Sequence, residues 1–186
     1  MHEQTALRKE AIEIMERLHL IRLLERYGEA RVVGSVVLEL IVKLDLDVQV
    51  HITGHPLMAA MNAISNELLD NQEIREVRIS DYRPRGIKIG IDRCPGPSGN
   101  WTIDIWLTTD RSTTAFEKTE MLLPRLTSDK REIILSLKQH YYSLGSLRDG
   151  ISSVIYDAVL NGISDLESFE ASPEYQEYVN SPERVE

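Results

Sequence analysis

Two aspartates separated by one residue are the first feature of this sequence that predicts chemistry. Asp45 and Asp47 lie in the stretch 44–52, where apolar and polar residues alternate as in a half-buried strand. Residues two apart on a strand project from the same face, so both carboxylates can bind one metal ion or a pair of ions. Hard oxygen ligands of this kind suit Mg²⁺, which commonly bridges carboxylates to nucleotide phosphates.

A glycine and a serine precede the aspartates, directly after the short apolar run 30–33. Gly34 allows the backbone to approach a ligand closely. Ser35 offers a hydroxyl and, if a helix follows, lies at its N-terminus, where free N–H groups attract phosphate. Together they predict a phosphate cradle, although segment 36–43 is apolar enough to be either a buried helix or a strand.

A third carboxylate is expected on another strand. In the stretch 101–107, Asp104 and Trp106 alternate with apolar residues and therefore share the polar face. Asp104 can ligate a metal ion or act as general base toward an acceptor hydroxyl. Asp92 and Asp81 are the alternatives, and Asp104 is preferred because its strand alternates most cleanly. Trp106 can line an acceptor pocket or belong to a second buried layer.

The order of these residues resembles a known signature. An apolar run with Gly34-Ser35, a spacer and Asp45-Leu-Asp47 is similar to that of the DNA polymerase β-like nucleotidyltransferase superfamily. In size and layout the chain resembles antibiotic nucleotidyltransferases of the aminoglycoside and lincosamide type. The resemblance covers residues 30–110 and implies transfer of a nucleoside monophosphate from a nucleoside triphosphate to an acceptor hydroxyl.

The same resemblance implies the ligands of the site. Gly34 and Ser35 would hold the triphosphate, while Asp45 and Asp47, with Asp104 as the third carboxylate, would bind one or two Mg²⁺ ions. ATP is the predicted nucleotide.

Charge and composition predict the surroundings of the protein. A formal net charge of −9 argues against a protein that coats nucleic acid and favours a small cationic acceptor such as an aminoglycoside. We therefore expect a small-molecule acceptor and no nucleic-acid partner. The single cysteine, Cys94, fits a reducing cytoplasm, and the N-terminal residues lack the continuous apolar run of a signal peptide or membrane helix. Nothing in the sequence indicates the oligomeric state.

A basic stretch between residues 75 and 93 has two interpretations. Its arginines and lysine can meet a triphosphate or a nucleic-acid acceptor, or they can merely keep exposed strands solvated. The cations are Arg75, Arg78, Arg83, Arg85, Lys88 and Arg93.

Periodicity predicts an α/β fold of the α+β type that ends in a C-terminal helical bundle. The resemblance implies that its sheet is a nucleotidyltransferase-like mixed sheet flanked by helices. The predicted strands are 44–52, 76–80, 87–91 and 101–107, with the last two as antiparallel neighbours. The predicted helices are 6–27, 56–69, 114–122, 128–144, 147–160 and 165–169. The expected parts are a catalytic domain with an N-terminal helix (1–110), a helical domain (111–170) and a loose polar tail (171–186).

Two other interpretations belong to different functional classes. The first is a non-catalytic nucleotidyltransferase-fold module that binds a protein partner, as an antitoxin does, and the second is a plain α/β binding domain whose motif is coincidental. The presence of all five site residues counts against the first, and strand alternation around the carboxylates counts against the second.

Overall fold

The computed structural model describes residues 2–147 and 150–181, and its contacts divide the chain after Met121 into two compact units. The elements up to that point are α1 His2–Arg17, α2 Leu20–Leu24, β1 Gly28–Val33, α3 Ser35–Leu38, β2 Asp45–Ile52, α4 Leu57–Asp70, β3 Val77–Asp81, β4 Ile87–Gly96, β5 Gly99–Thr108 and a 3₁₀ turn at Arg111–Thr113. Helix α5, Phe116–Leu122, crosses the point of division. The later elements are a 3₁₀ turn at Leu123–Arg125, α6 Ser128–Ser143, α7 Ile151–Leu160, α8 Leu166–Glu170 and α9 Pro173–Asn180.

The strands of the first unit form a five-stranded sheet in the order β1-β2-β5-β4-β3. Strands β2 and β5 are parallel, and every other neighbouring pair is antiparallel. The mixed sheet with flanking helices confirms the predicted fold class, and β4 and β5 are antiparallel neighbours as expected. Within the described residues, no helix is both long and apolar enough to cross a membrane.

One face of this sheet is the core. On β2 the residues Leu46 and Val48 are fully buried, and on β5 so are Ile103 and Ile105. Helices α1 and α4 contribute their apolar stripes to the same buried cluster. Each such side chain stabilises the fold by about 1.5–3 kcal/mol through burial. Because strand side chains alternate, the residues between them project from the opposite, polar face.

The predicted N-terminal helix 6–27 is two helices in the structure. His19 adopts a left-handed conformation with φ of 51° between α1 and α2. Its neighbours Leu18 and Leu20 are both buried, at 4% and 0% exposure. Residues two apart in a continuous helix lie on nearly opposite sides, so one unbroken helix cannot bury both leucines against one core. The break at His19 resolves this conflict.

The C-terminal part also differs from the prediction. Residues 173–180 of the expected loose tail form α9, which Ser172 caps by accepting a hydrogen bond from the Tyr175 N–H at 3.2 Å. The Tyr175 ring lies 5.0 Å from that of buried Phe169, so α9 packs against α8 within the second unit. Helices α6 to α9 form the predicted helical bundle. The division after Met121 lies beyond the predicted domain boundary at residue 110. Helix α7 starts at Ile151, whereas the predicted helix starts at residue 147. Residues 148–149 of that predicted helix and 182–186 of the predicted tail lie outside the described residues.

A buried carboxylate ties α1 to the β4–β5 hairpin. Glu10 is only 6% exposed, and its Oε1 accepts hydrogen bonds from the Trp101 indole N–H at 2.8 Å and the Ser98 backbone N–H at 3.0 Å. Burial raises the pKa of Glu10, but the hydrogen bonds from Ser98 and Trp101 outweigh burial and hold that pKa below its ordinary value. The ionised carboxylate is therefore part of the folded structure.

Replacing Glu10 with alanine is expected to lower the free energy of unfolding by about 2–3 kcal/mol, because the buried Trp101 N–H and the partly buried Ser98 N–H lose a charged acceptor. Urea denaturation at pH 7 measures this loss, and Glu10→Gln, which keeps an acceptor oxygen, loses less. Since the folded pKa lies below the unfolded one, the contribution is complete above the unfolded pKa and is lost as the pH falls. The stability difference between wild type and Glu10→Gln therefore shrinks below about pH 4.3. A difference that stays constant down to pH 3 contradicts this account.

Candidate nucleotide and metal site

The three predicted carboxylates lie on the polar face of two adjacent strands. Apolar neighbours point into the core, and this turns Asp45 and Asp47 of β2 outward, together with Asp104 of β5. In the parallel pairing, Asp47 lies opposite Asp104, while Asp45 lies opposite Thr102. Neighbouring strands run about 4.8 Å apart, so the backbone positions allow these side chains to converge.

Gly34 and Ser35 lie beside the same carboxylates. Val33, the last residue of β1, pairs with Asp47, so the chain leaves the sheet at Gly34 next to that side chain. Gly34 has φ of 68°, and a Cβ atom there would lie 3.2 Å from Asp47 Oδ2. Ser35 begins α3, which is a single turn, so the segment after the glycine is a short helix rather than a strand. Glycine is required both for this backbone conformation and for the close approach.

Two lysines pair with the carboxylates. Lys43 Nζ lies 3.4 Å from Asp45 Oδ2, and Lys88 Nζ lies 3.1 Å from Asp104 Oδ2. The Asp45 and Asp104 side chains are 31% and 37% exposed, so solvent weakens both ion pairs. Within residues 2–147 and 150–181, no group of three or more acidic, histidine or cysteine side chains is close enough to hold a metal ion as the side chains stand. In this arrangement the two lysine ammonium groups lie beside the carboxylates that would otherwise bind a metal cation.

The residues nevertheless fit a metal ion carrying a nucleotide. Carboxylate oxygens from two adjacent strands are the donors that Mg²⁺ prefers. The Ser35 hydroxyl is buried and has no hydrogen-bond partner among the described residues, although buried polar atoms are normally paired. This orphaned hydroxyl, at the glycine turn beside Asp47, is what a phosphate oxygen would satisfy.

The alternative third carboxylates are engaged elsewhere. Asp92 lies on β4 and pairs with Arg78 of β3, and Asp81 pairs with Arg83 at 2.6 Å near the β3–β4 turn. Only Asp104 faces Asp47 directly in the sheet register. Its role as third ligand or general base remains a prediction that this register supports.

Sequence reasoning missed what surrounds Asp104. Lys88 lies opposite Trp106 and reaches Asp104, while Gly90 lies directly opposite Asp104 in the β4–β5 register. A Cβ atom at Gly90 would lie 3.6 Å from Asp104 Oδ1, so the glycine leaves room beside the carboxylate. Alternation along 87–91 was the available signal, because it places Lys88 and Gly90 on one face.

The sequence matches no protein-family model and no curated protein. Its structure is similar to Cid1 poly(U) polymerase bound to Mg 3′-dATP, with 20% identity and a TM-score of 0.55 over 72% of this chain and 42% of that chain. The GLD-2/RNP-8 complex gives 15% identity and a TM-score of 0.61 over 97% of this chain and 68% of that chain. A cytoplasmic RNA terminal U-transferase gives 21% identity and a TM-score of 0.53 over 72% of this chain and 41% of that chain.

The chain has a nucleotidyltransferase fold. This confirms the predicted resemblance to the DNA polymerase β-like superfamily at the level of fold, and identities of 15–21% carry it no further. The chain spans less than half the length of the poly(U) polymerase and the terminal U-transferase. A closer likeness to antibiotic nucleotidyltransferases gains no support from these structures.

The prediction of a small-molecule acceptor without any nucleic-acid partner is wrong. The neighbours are by name a poly(U) polymerase and an RNA terminal transferase, and these names conflict with that expectation. The physical reason is that a net charge of −9 is a sum over the whole chain. The stretch 75–93 contains six cationic and three acidic residues, which gives a local formal charge of 6 − 3 = +3. Nucleic-acid binding depends on such local charge.

Gly34→Ala is expected to weaken binding of a nucleoside triphosphate with Mg²⁺ by about tenfold, because the added methyl group crowds Asp47 Oδ2. Gly145→Ala is the matched control, since Gly145 also has φ of 68° but a Cβ atom there meets nothing within 4 Å. Alanine at a φ of 68° strains the backbone in both variants, and the strain is larger at Gly34, whose ψ of −143° is a conformation that only glycine commonly adopts. Urea denaturation measures the loss of stability in each variant and calorimetric titration measures its nucleotide affinity. Equal nucleotide affinities would show that Gly34 does not shape the site.

Proposed function

We propose that this chain is a metal-dependent nucleotidyltransferase that adds a nucleoside monophosphate to the 3′-hydroxyl of RNA. The observation that carries the proposal is the parallel register that sets Asp47 opposite Asp104, with Asp45 on the same face. The catalytic part is the unit up to Met121, which contains every predicted site residue. The fold likeness to RNA-acting transferases supports this choice of reaction and acceptor.

The residues divide the work of an in-line displacement. Asp45, Asp47 and Asp104 would hold the metal, and Ser35 would donate its hydroxyl to a phosphate oxygen beside the Gly34 backbone. Bound Mg²⁺ would neutralise charge on the triphosphate and on the attacking oxygen. Asp104 accepts the proton of the acceptor hydroxyl, whose oxygen bonds to the α-phosphorus as the bond to the pyrophosphate oxygen breaks. Pyrophosphate leaves with the bonding electron pair.

The acceptor and the nucleotide are parts of the same proposal. RNA is proposed because structural neighbours are named as a poly(U) polymerase and an RNA terminal U-transferase, and because residues 75–93 carry a local positive charge. ATP remains the predicted nucleotide, and presenting each of the four nucleoside triphosphates in turn tests it. A cytoplasmic location is proposed as well, with support from the free buried thiol of Cys94.

A non-catalytic binding module is the second candidate. The ion pairs Lys43–Asp45 and Lys88–Asp104 favour it, because they satisfy two carboxylates without a metal ion. The orphaned Ser35 hydroxyl favours the enzyme, since a protein-binding surface elsewhere gives no reason for a buried unpaired oxygen. Metal-dependent nucleotide binding distinguishes the two.

Asp47→Asn and Asp104→Asn are each expected to reduce nucleotidyl transfer by about 100-fold or more, and Asp47→Asn also abolishes the Mg²⁺ dependence of nucleotide binding. Asp92→Asn is the matched control, because Asp92 occupies the polar face of the same sheet but pairs with Arg78. Its activity stays within about twofold of wild type. Initial rates and calorimetry with and without Mg²⁺ measure these effects. If the nucleotide affinity changes neither on removal of Mg²⁺ nor in Asp47→Asn, the result supports the binding module instead.

RNA extension has a direct test in the chemistry of the acceptor end. A single-stranded oligoribonucleotide with a free 3′-hydroxyl should grow in the presence of Mg²⁺ and a nucleoside triphosphate, while the same oligonucleotide with a 3′-deoxy end should not. Denaturing gels resolve the products one nucleotide at a time. If no triphosphate extends the RNA although metal-dependent nucleotide binding is intact, the acceptor is not RNA and the nucleotide site still stands.

A further inference from the structure

A group of aromatic and cationic side chains adjoins the candidate site on the polar face of the sheet. The Tyr82 and Trp106 rings lie 5.1 Å apart between centroids and are tilted by 39°. Lys88 Nζ lies 5.7 Å from the Trp106 centroid and also reaches Asp104 at 3.1 Å. Tyr82, Lys88 and Trp106, together with Arg85 from the same β3–β4 turn as Tyr82, are called the acceptor platform below. The platform is thus joined to the site through one lysine.

The fold holds these residues in place without burying them. Trp106 follows Asp104 by two residues on β5, so both project from one face about 7 Å apart along the strand. Tyr82 opens the turn between β3 and β4, where its N–H donates to the Gly86 carbonyl at 2.9 Å. Tyr82 is 40% exposed and Trp106 is half-buried. A partly exposed aromatic pair beside the Asp104 carboxylate is a surface on which a base can stack.

Charge on the platform fits a polyanion. Arg85 is exposed in the same turn and forms no ion pair with the residues the structure describes. Arg83, two residues earlier, pairs with Asp81. Proteins that bind single-stranded RNA combine aromatic side chains, on which bases stack, with cations that follow the phosphates.

We propose that the acceptor platform binds the 3′-terminal nucleotides of single-stranded RNA and presents the terminal hydroxyl to Asp104. The terminal base stacks on Trp106 and Tyr82, and Arg85 contacts a phosphate further toward the 5′ end. This proposal rests on the proposed function for its ligand, but it concerns residues that do not bind the metal or the triphosphate. It also accounts for Trp106, whose large side chain stays half-buried on the polar face.

The test is RNA affinity by fluorescence anisotropy with a 5′-labelled 15-nucleotide single-stranded RNA. Tyr82→Ala and Trp106→Ala are each expected to weaken binding about tenfold, and Trp106→Phe restores most of the loss because it keeps a stacking surface. Arg85→Gln lowers the slope of log affinity against log salt by about 0.7, the value for one contact with a single strand. Tyr142→Ala is the control, because Tyr142 is a tyrosine of α6 that is 46% exposed and does not belong to the platform. This variant is expected to bind RNA with the affinity of wild type.

A second readout separates this proposal from the proposed function. Calorimetric binding of a nucleoside triphosphate with Mg²⁺ should be equal in wild type, Tyr82→Ala and Trp106→Phe, which also verifies folding. If wild type binds nucleotide but Tyr82→Ala and Trp106→Ala bind RNA as well as wild type does, the platform is overturned and the enzyme proposal stands. If wild type binds RNA but no nucleotide, the proposed function fails while the effects of the platform variants on RNA binding still decide the platform.

Discussion

The parallel pairing of β2 with β5 is the constraint on which the candidate site depends. Side chains on a strand alternate between faces, so a slip of one residue would send Asp47 or Asp104 into the core. Fully buried Leu46 and Ile103 prevent this slip. A shifted register would expose both apolar side chains and bury two carboxylates, and each of these changes costs free energy. The hydrophobic core thereby sets the separation of the acidic groups. Chemistry on one face is positioned by packing on the other.

That constraint has an electrostatic consequence. Carboxylates gathered on one face of adjacent strands repel one another unless cations compensate. Lys43 and Lys88 supply this compensation through contacts with Asp45 and Asp104. Exposed ion pairs of this kind contribute only about 0–1 kcal/mol each, which is small beside the binding energy of a divalent ion held by several carboxylates. The lysines can therefore yield to a metal ion at little cost in stability.

How much of this was predictable follows from the range of each interaction. Alternation along 44–52 and 101–107 reports local geometry, so it predicted the strands and the face of Asp47 and Asp104 correctly. The break at His19 and the helix Pro173–Asn180 depend on packing against distant residues, to which local periodicity is blind. The contact of Lys88 with Asp104 depends on strand order in the same way. The acceptor was predicted wrongly because net charge is a sum over the whole chain, whereas binding of a ligand depends on the charge of the surface that it contacts.

Strand β5 shows how one element serves both stability and chemistry. Trp101 is fully buried and donates to Glu10, so it anchors α1 on the core face. Five residues later Trp106 lies on the opposite face beside Asp104, since an odd separation reverses the side of a strand. Substitutions on the polar face can then alter ligand contacts without opening the core. Because Asp104 and Trp106 lie on one rigid strand, a ligand that stacks on the tryptophan is held at a fixed distance from the carboxylate.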